Sequence, residues 1–131
     1  MSLFNFLADC LVGDFDAARL NCPAKILLLN FDKETQEVSQ APNTSFIYLL
    51  TTPEKLYSTS EGIVKYSFII PQEYFAAGDI NGATRFNAIG LYAGSATDAE
   101  DYAAYCEVDT SGWSVSISSV LVLDWELHIS N

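Results

Sequence analysis

The amino-acid sequence predicts a mainly β protein, an antiparallel β-sandwich of seven or eight strands preceded by a short amphipathic N-terminal helix. Three observations point there. From Pro23 onward apolar residues recur with a period of 2 or in short runs, as strands with one or both faces covered require. Pro, Gly, Asn and Asp gather between those runs, where turns use their backbone preferences. No helical pattern long enough to carry the chain back across a sheet separates the runs. A βαβ design is thereby removed, and an antiparallel sandwich or barrel remains.

The N-terminal helix rests on spacing. Leu3, Phe6, Leu7, Cys10 and Leu11 fall at i, i+3, i+4, i+7 and i+8, which places them on one face. Ser2 is the expected cap, and Gly13 the expected stop, since glycine takes the left-handed conformation without a Cβ clash. Asp14 can cap one more turn through Ala17 and Ala18. A helix this short is marginal alone, so its apolar face must dock, either on this chain's own sheet or on another subunit. Those five residues are the expected assembly interface. The whole is expected to be one domain of 131 residues, with a helical segment over 1–20 and the β-sandwich over 24–131.

The strands follow in order. Ala24–Phe31 reads as buried, closed by the turn Asp32-Lys33-Glu34, with Gln36–Ser39 as its short return. Ser45–Thr52 is rich in aromatic and β-branched residues and ends at Pro53. Gly62–Ile70 alternates, with Val64, Tyr66, Phe68 and Ile70 on one face and Lys65 and Ser67 on the other, and Pro71 closes it. Gln72–Ala83 carries Tyr74 and Phe75, then turn residues at Gly78-Asp79 and Asn81-Gly82. Arg85–Ala93 and Tyr102–Val108 are the next strands, and Thr110-Ser111-Gly112 makes a turn. Trp113, Val115 and Ile117 alternate with serines. Leu121, Leu123, Trp125, Leu127 and Ile129 then alternate with Val120, Val122, Asp124, Glu126 and His128. This period defines two faces, but whether Trp125 meets this core or a partner's is left open by it.

Composition narrows function. Half the residues are hydrophobic, which argues for a folded chain over a disordered one. Seventeen acidic residues against six basic ones give a net charge of −11, a surface that repels nucleic-acid phosphates. Cys10, Cys22 and Cys106 are odd in number and lack paired spacing, so free thiols are expected, as in a reducing cytosol. The start has no basic segment of a signal peptide, and no apolar run suffices to span a membrane. His128 is the only histidine, so histidine-based nucleophilic catalysis would have to use it on an outward strand face. Asp124 with Glu126, and Glu107 with Asp109, are i, i+2 carboxylate pairs of the kind any polar strand face offers. Asp98-Ala99-Glu100-Asp101 is the densest acidic cluster but lacks the glycine and distal glutamate of a calcium loop. No enzymatic activity, cofactor or metal is expected. A rival reading, a receptor- or carbohydrate-binding module, would use exposed Tyr57, Tyr74, Tyr105 or Trp113 in a groove.

The segment Arg85–Gly94, RFNAIGLYAG, resembles a strand found in bacteriophage tail-collar, tail-fibre and baseplate-associated domains, with the pattern aromatic-Asn-x-Ile-Gly-Leu-aromatic. Phe86, Asn87, Ile89, Gly90, Leu91 and Tyr92 match it. Ile63–Pro71 resembles the family's preceding strand, Tyr102–Val108 the following one, and Val120–Ile129 the terminal one; the N-terminal third lies outside the resemblance. The chain departs at Ala88, where the family frequently has Glu. What the resemblance implies is a virion structural protein in the tail or baseplate, made in the host cytoplasm. Its expected partners are other tail proteins, in several copies around a symmetry axis.

Overall fold

The computed structural model describes residues 3–42, 44–57, 61–70, 84–107, 113–115 and 121–130. Two short helices open the chain, α1 (Leu3–Val12) and α2 (Phe15–Asn21). Ten strands follow among the described residues: β1 (Pro23–Asp32), β2 (Glu37–Gln40), β3 (Ile47–Tyr48), β4 (Glu54–Tyr57), β5 (Glu61–Ile70), β6 (Thr84–Phe86), β7 (Ala88–Ala93), β8 (Tyr102–Glu107), β9 (Trp113–Val115) and β10 (Leu121–Ser130). The fold is mainly β, and among the described residues no sheet closes on itself.

Gly13 ends α1 at φ +80°, its N–H donating to Cys10 O (3.2 Å) while Asp14 N donates to Asp9 O (3.0 Å). These two bonds satisfy carbonyls the helix leaves open, and they turn the chain at once into α2. Asp14 caps α2 by accepting from Ala17 N at 3.2 Å. Two turns form where one was expected. Asn21 Nδ2 donates to Asp9 Oδ2 and ties the helices together. Ser95 N donates to Leu20 O and Gly94 N to Cys22 O, both at 3.0 Å, fastening the end of α2 to the chain leaving β7.

The largest sheet is built on β1. Antiparallel β7 lies along one edge, from Pro23↔Ala93 to Leu29↔Ala88, and β8 lies beyond it. The other edge is shared, with β2 pairing the far end (Leu29↔Gln40 to Asp32↔Glu37) and β3 the near end (Lys25↔Tyr48, Ile26↔Ile47). A second sheet runs β10–β5–β4, its long ladder extending from Leu121↔Ile70 to Ser130↔Glu61. Strands β6 and β9 form a two-stranded ribbon.

Alternation sets the packing. Ile26, Leu28, Ile89 and Leu91 of the first sheet share one apolar cluster with Tyr66, Phe68 and Ile70 of the second. Leu123, Trp125 and Leu127 pack against that cluster, so Trp125 faces this chain's own core. The alternate residues Leu27, Leu29, Ala88 and Tyr92 point the other way. They form a second cluster with Ala96, flanked by Phe46 and Ala99 from the connecting segments. Both faces of β1 and β7 are therefore covered, which explains why those strands read as continuous apolar runs instead of alternating ones.

Two expected strands come out differently. Ser45–Thr52 contributes only Ile47–Tyr48, because its backbone bonds change sheets: Leu49 N donates to Ala24 O, and the next residue's N, Leu50, donates to Ser67 O of β5. Apolar and β-branched content predicted the strand, but a segment crossing between two sheets cannot stay in one ladder. Arg85–Ala93 splits into β6 and β7 at Asn87. Strand β4 had no expectation, since Glu54–Tyr57 is too short to show a period. The expected Ser2 cap, the Gln72–Ala83 turns, the Thr110–Gly112 turn, and the positions of Ile117 and Val120 lie outside the described residues.

Candidate functional site: a core strand and an exposed helical face

The motif strand is a core element. Asn87 explains its interruption. Its backbone N–H donates to Leu29 O (3.0 Å), while its side-chain Oδ1 accepts from Phe31 N (2.7 Å) and Nδ2 donates to Phe31 O (2.9 Å). The carboxamide thus supplies one donor and one acceptor where a further strand residue would have supplied backbone groups. Phe86 is wholly buried, and Ile89 and Leu91 enter the apolar cluster that also holds Tyr66, Phe68 and Ile70. A Cβ at Gly90 would lie 2.5 Å from Tyr92 Cε1 and 3.1 Å from Leu29 Cδ1, so glycine is what lets the Tyr92 ring lie over the strand. Tyr92 in turn donates from its hydroxyl to Ala99 O at 2.7 Å and packs edge-on against Phe46. Ala88, at the family's Glu position, is fully buried among apolar neighbours, where a carboxylate would have lost its water.

Beside this strand lies a residue the sequence reading passed over. Lys25 is 4% exposed, with Nζ donating to Ala96 O (2.7 Å) and Gly94 O (3.2 Å). The same ammonium lies 4.2 Å from the Phe46 ring centroid and 5.5 Å from that of Tyr48. Carbonyl oxygens and ring faces replace water around the charge and clamp the Gly94–Ala96 turn onto β1. A lysine inside an apolar run was the one available signal.

The helical face is divided by the structure. Phe6, Leu7 and Cys10 are half-buried, while Leu11 stands 88% exposed; the Leu3 side chain lies outside the described ones. Successive helix residues are rotated by about 100°, so Leu11 follows Cys10 away from the covered arc. Phe4 (80%), Val12 (78%) and, past the Gly13 turn, Phe15 (62%) are exposed as well. Four large apolar side chains therefore sit in water within the first fifteen residues. The signal for this was present in the sequence, since α1 is apolar around nearly its whole circumference, with only Asn5 and Asp9 polar.

The carboxylates sit on the outward face of the second sheet. Asp124 accepts from Ser67 Oγ at 2.7 Å, and Glu126 lies 3.4 Å from His128 Nε2. His128 Nδ1 lies 3.0 Å from Glu61 Oε1. A neutral imidazole has one acceptor nitrogen, which would meet a carboxylate lone pair here; both contacts suit only the doubly protonated ring. Hydrogen bonding to Glu61 and then to Glu126 accordingly raises the His128 pKa above its ordinary value. In the acidic cluster, Asp101 Oδ2 accepts from Thr97 N, Thr97 Oγ1 and Asp98 N, while Asp98 Oδ1 accepts from Glu100 N. These bonds hold the Asp101 carboxyl below its usual range and spend both aspartates on shaping the loop. Burial raises the Cys22 thiol, with Cys10 nearby adding to it, which disfavours the nucleophilic thiolate. An open groove of about 690 Å³ runs beside the β1–β2 turn between Asn30, Asp32, Glu37 and Asn87, but Asp32 Oδ1 already accepts from Glu34 N in that turn.

Of the aromatics named for sugar binding, Tyr74 lies outside the described residues, as do the side chains of Tyr57, Tyr105 and Trp113; so do the side chain of Glu107 and all of Asp109. No family model matches this chain, and no curated protein and no solved structure does.

Proposed function

We propose that the two larger sheets pack face to face as a β-sandwich and that the chain is a non-enzymatic assembly module of a bacteriophage tail or baseplate. The sharing of one apolar cluster by Ile26, Leu28, Ile89 and Leu91 with Tyr66, Phe68 and Ile70 supports the sandwich. The observation that carries the assembly reading is the apolar helical face left in water at Phe4, Leu11, Val12 and Phe15. Contiguous apolar surface of this kind marks a contact with another molecule. The chemistry elsewhere fits the same reading: Asp124, Glu126 and His128 pair with neighbours on an exposed sheet face. The phage context rests on the resemblance of Phe86–Tyr92. Its partners would be other tail proteins, with several copies around an axis, and its place the virion.

Mass spectrometry of tails purified from particles made in cells that encode the chain tests this. The chain is expected in the tail fraction at a fixed ratio to the other tail proteins. Its absence from particles, together with a lone monomeric state in the cell extract, would overturn the proposal.

A further inference from the structure

We propose that the exposed arc of α1, continued by Phe15 of α2, docks into an apolar groove rimmed by lysine or arginine on a different protein. This rests on the assembly reading and adds the partner's chemistry. Phe4, Ala8, Leu11 and Val12 fall at i, i+4, i+7 and i+8, and all four are exposed. They form a second stripe whose centre lies about 100° or more from that of the half-buried Phe6, Leu7 and Cys10. No charged residue interrupts it, because Asp9, the one charge in α1, is half-buried and holds Asn21. A helix with apolar residues around most of its circumference is stable when that surface is covered, and here one arc of it stands in water. The exposed stripe is therefore half of an interface.

Charge identifies the other half. The hairpin's charged residues are Asp9, Asp14, Asp16 and Arg19, and Arg19 already lies 3.7 Å from Asp16. Asp14 and Asp16 follow the stripe directly in the sequence, on a chain whose net charge is −11. A second copy would bring one acidic chain against another, and an anionic membrane would meet the same repulsion. A basic-rimmed groove instead gains on encounter and in the bound state, and it matches the recognition of a helix through i, i+4 and i+7 anchors.

The full chain can be tested against a defined probe, a helical peptide with one leucine face and one lysine face. A leucine/glutamate peptide of equal length is the control, with fluorescence anisotropy read at about 0.15 M salt. The lysine peptide is expected to bind and the glutamate peptide to fail. Leu11→Ser with Val12→Ser should weaken binding about tenfold or more, and Phe4→Ser should act in the same direction; all three sites are exposed, and an unchanged circular dichroism spectrum verifies each fold. Asp14→Asn with Asp16→Asn, which keeps a capping side chain, should weaken binding and flatten its salt dependence. Equal affinity for the wild type and the serine variants would mean attraction to the acidic surface alone and would overturn the inference. A dimer in sedimentation that Leu11→Ser and Val12→Ser abolish would also overturn it, by making a second copy the occupant, yet leave the assembly reading standing. A monomer that ignores both peptides would bring down both, as would one that instead cosediments with phosphatidylcholine vesicles through the stripe.

Discussion

Asn87 pairs a side chain with the backbone of Phe31, and the consequence of removing it can be worked out from those contacts. Asn87→Ala leaves Phe31 N and Phe31 O, both in part-buried contacts, without these partners. The expected loss is about 1–3 kcal/mol in urea unfolding. Asn87→Asp should do no better, because it keeps the acceptor for Phe31 N but turns a carboxylate oxygen toward Phe31 O. A loss below a few tenths of a kcal/mol in both variants would show that water replaces the carboxamide readily. Gly90 makes a different kind of demand. A methyl group there enters the Tyr92 ring, which is fully buried and bonded at its far end to Ala99 O. Gly90→Ala should therefore cost about 1–3 kcal/mol by overpacking. Most of that cost should disappear in a Tyr92→Ala background, and a double-mutant cycle reads the difference. Additive losses would place the strain elsewhere. Both residues belonged to a recognisable sequence pattern, but their jobs were not legible in it. The carboxamide acts across 56 positions of sequence, and a period of 2 carries no information about which neighbour a ring lies over.

The end of the β5–β10 ladder holds a pH response. His128 sits between Glu61 and Glu126, with Lys65 two register positions away, opposite Glu126, and Asp124 further along its own strand. Its folded pKa is raised, so this contribution to stability is fully present below the unfolded value of about 6.5. It is lost as pH rises through the raised folded value. Melting temperatures of the wild type and His128→Gln across this range should converge toward alkaline pH and separate toward acid, with the wild type higher. Parallel curves would mean that the imidazolium gains nothing from the two carboxylates. The element itself was the easiest part of the molecule to read. A period of 2 held across the strand leaves little choice, and Leu123, Trp125 and Leu127 do turn inward while Val122, Asp124, Glu126 and His128 turn out; at the strand's end Ile129, expected with the inward set, is exposed. Elements were misread where the chain changes neighbours: Leu49 and Leu50 bond to different sheets, and β6 leaves the first sheet for β9. Propensity describes a residue's preference for extended backbone and is silent about whose edge it joins.

At the scale of the whole molecule, net charge sets up a competition with a measurable outcome. Eleven uncompensated negative charges repel one another in the compact state more than in the expanded chain. Added salt weakens that repulsion and should stabilise the fold, but it also weakens the attractive pairs. Those pairs include Lys65–Glu54 at 3.4 Å, Arg19–Asp16 at 3.7 Å and the His128 contacts, all at least partly exposed. Exposed pairs contribute about 0–1 kcal/mol each. Among the described side chains the well-buried cation, Lys25, leans on carbonyls and rings instead of carboxylates, and salt hardly reaches it. Repulsion is the larger, longer-ranged effect, and it is also the one that a Debye length falling from about 30 Å at 0.01 M to about 8 Å at 0.15 M removes. The melting temperature should therefore rise over that interval, steeply at first and then level off. Sodium chloride is the salt to use, because sulfate would add a general strengthening of apolar burial. The serine variants at Leu11 and Val12 should show the same rise, since they alter no charge. A flat or falling curve would mean that a few local pairs outweigh the global field. The acidic surface would then be a set of satisfied contacts, and the case for a basic partner would lose its electrostatic half.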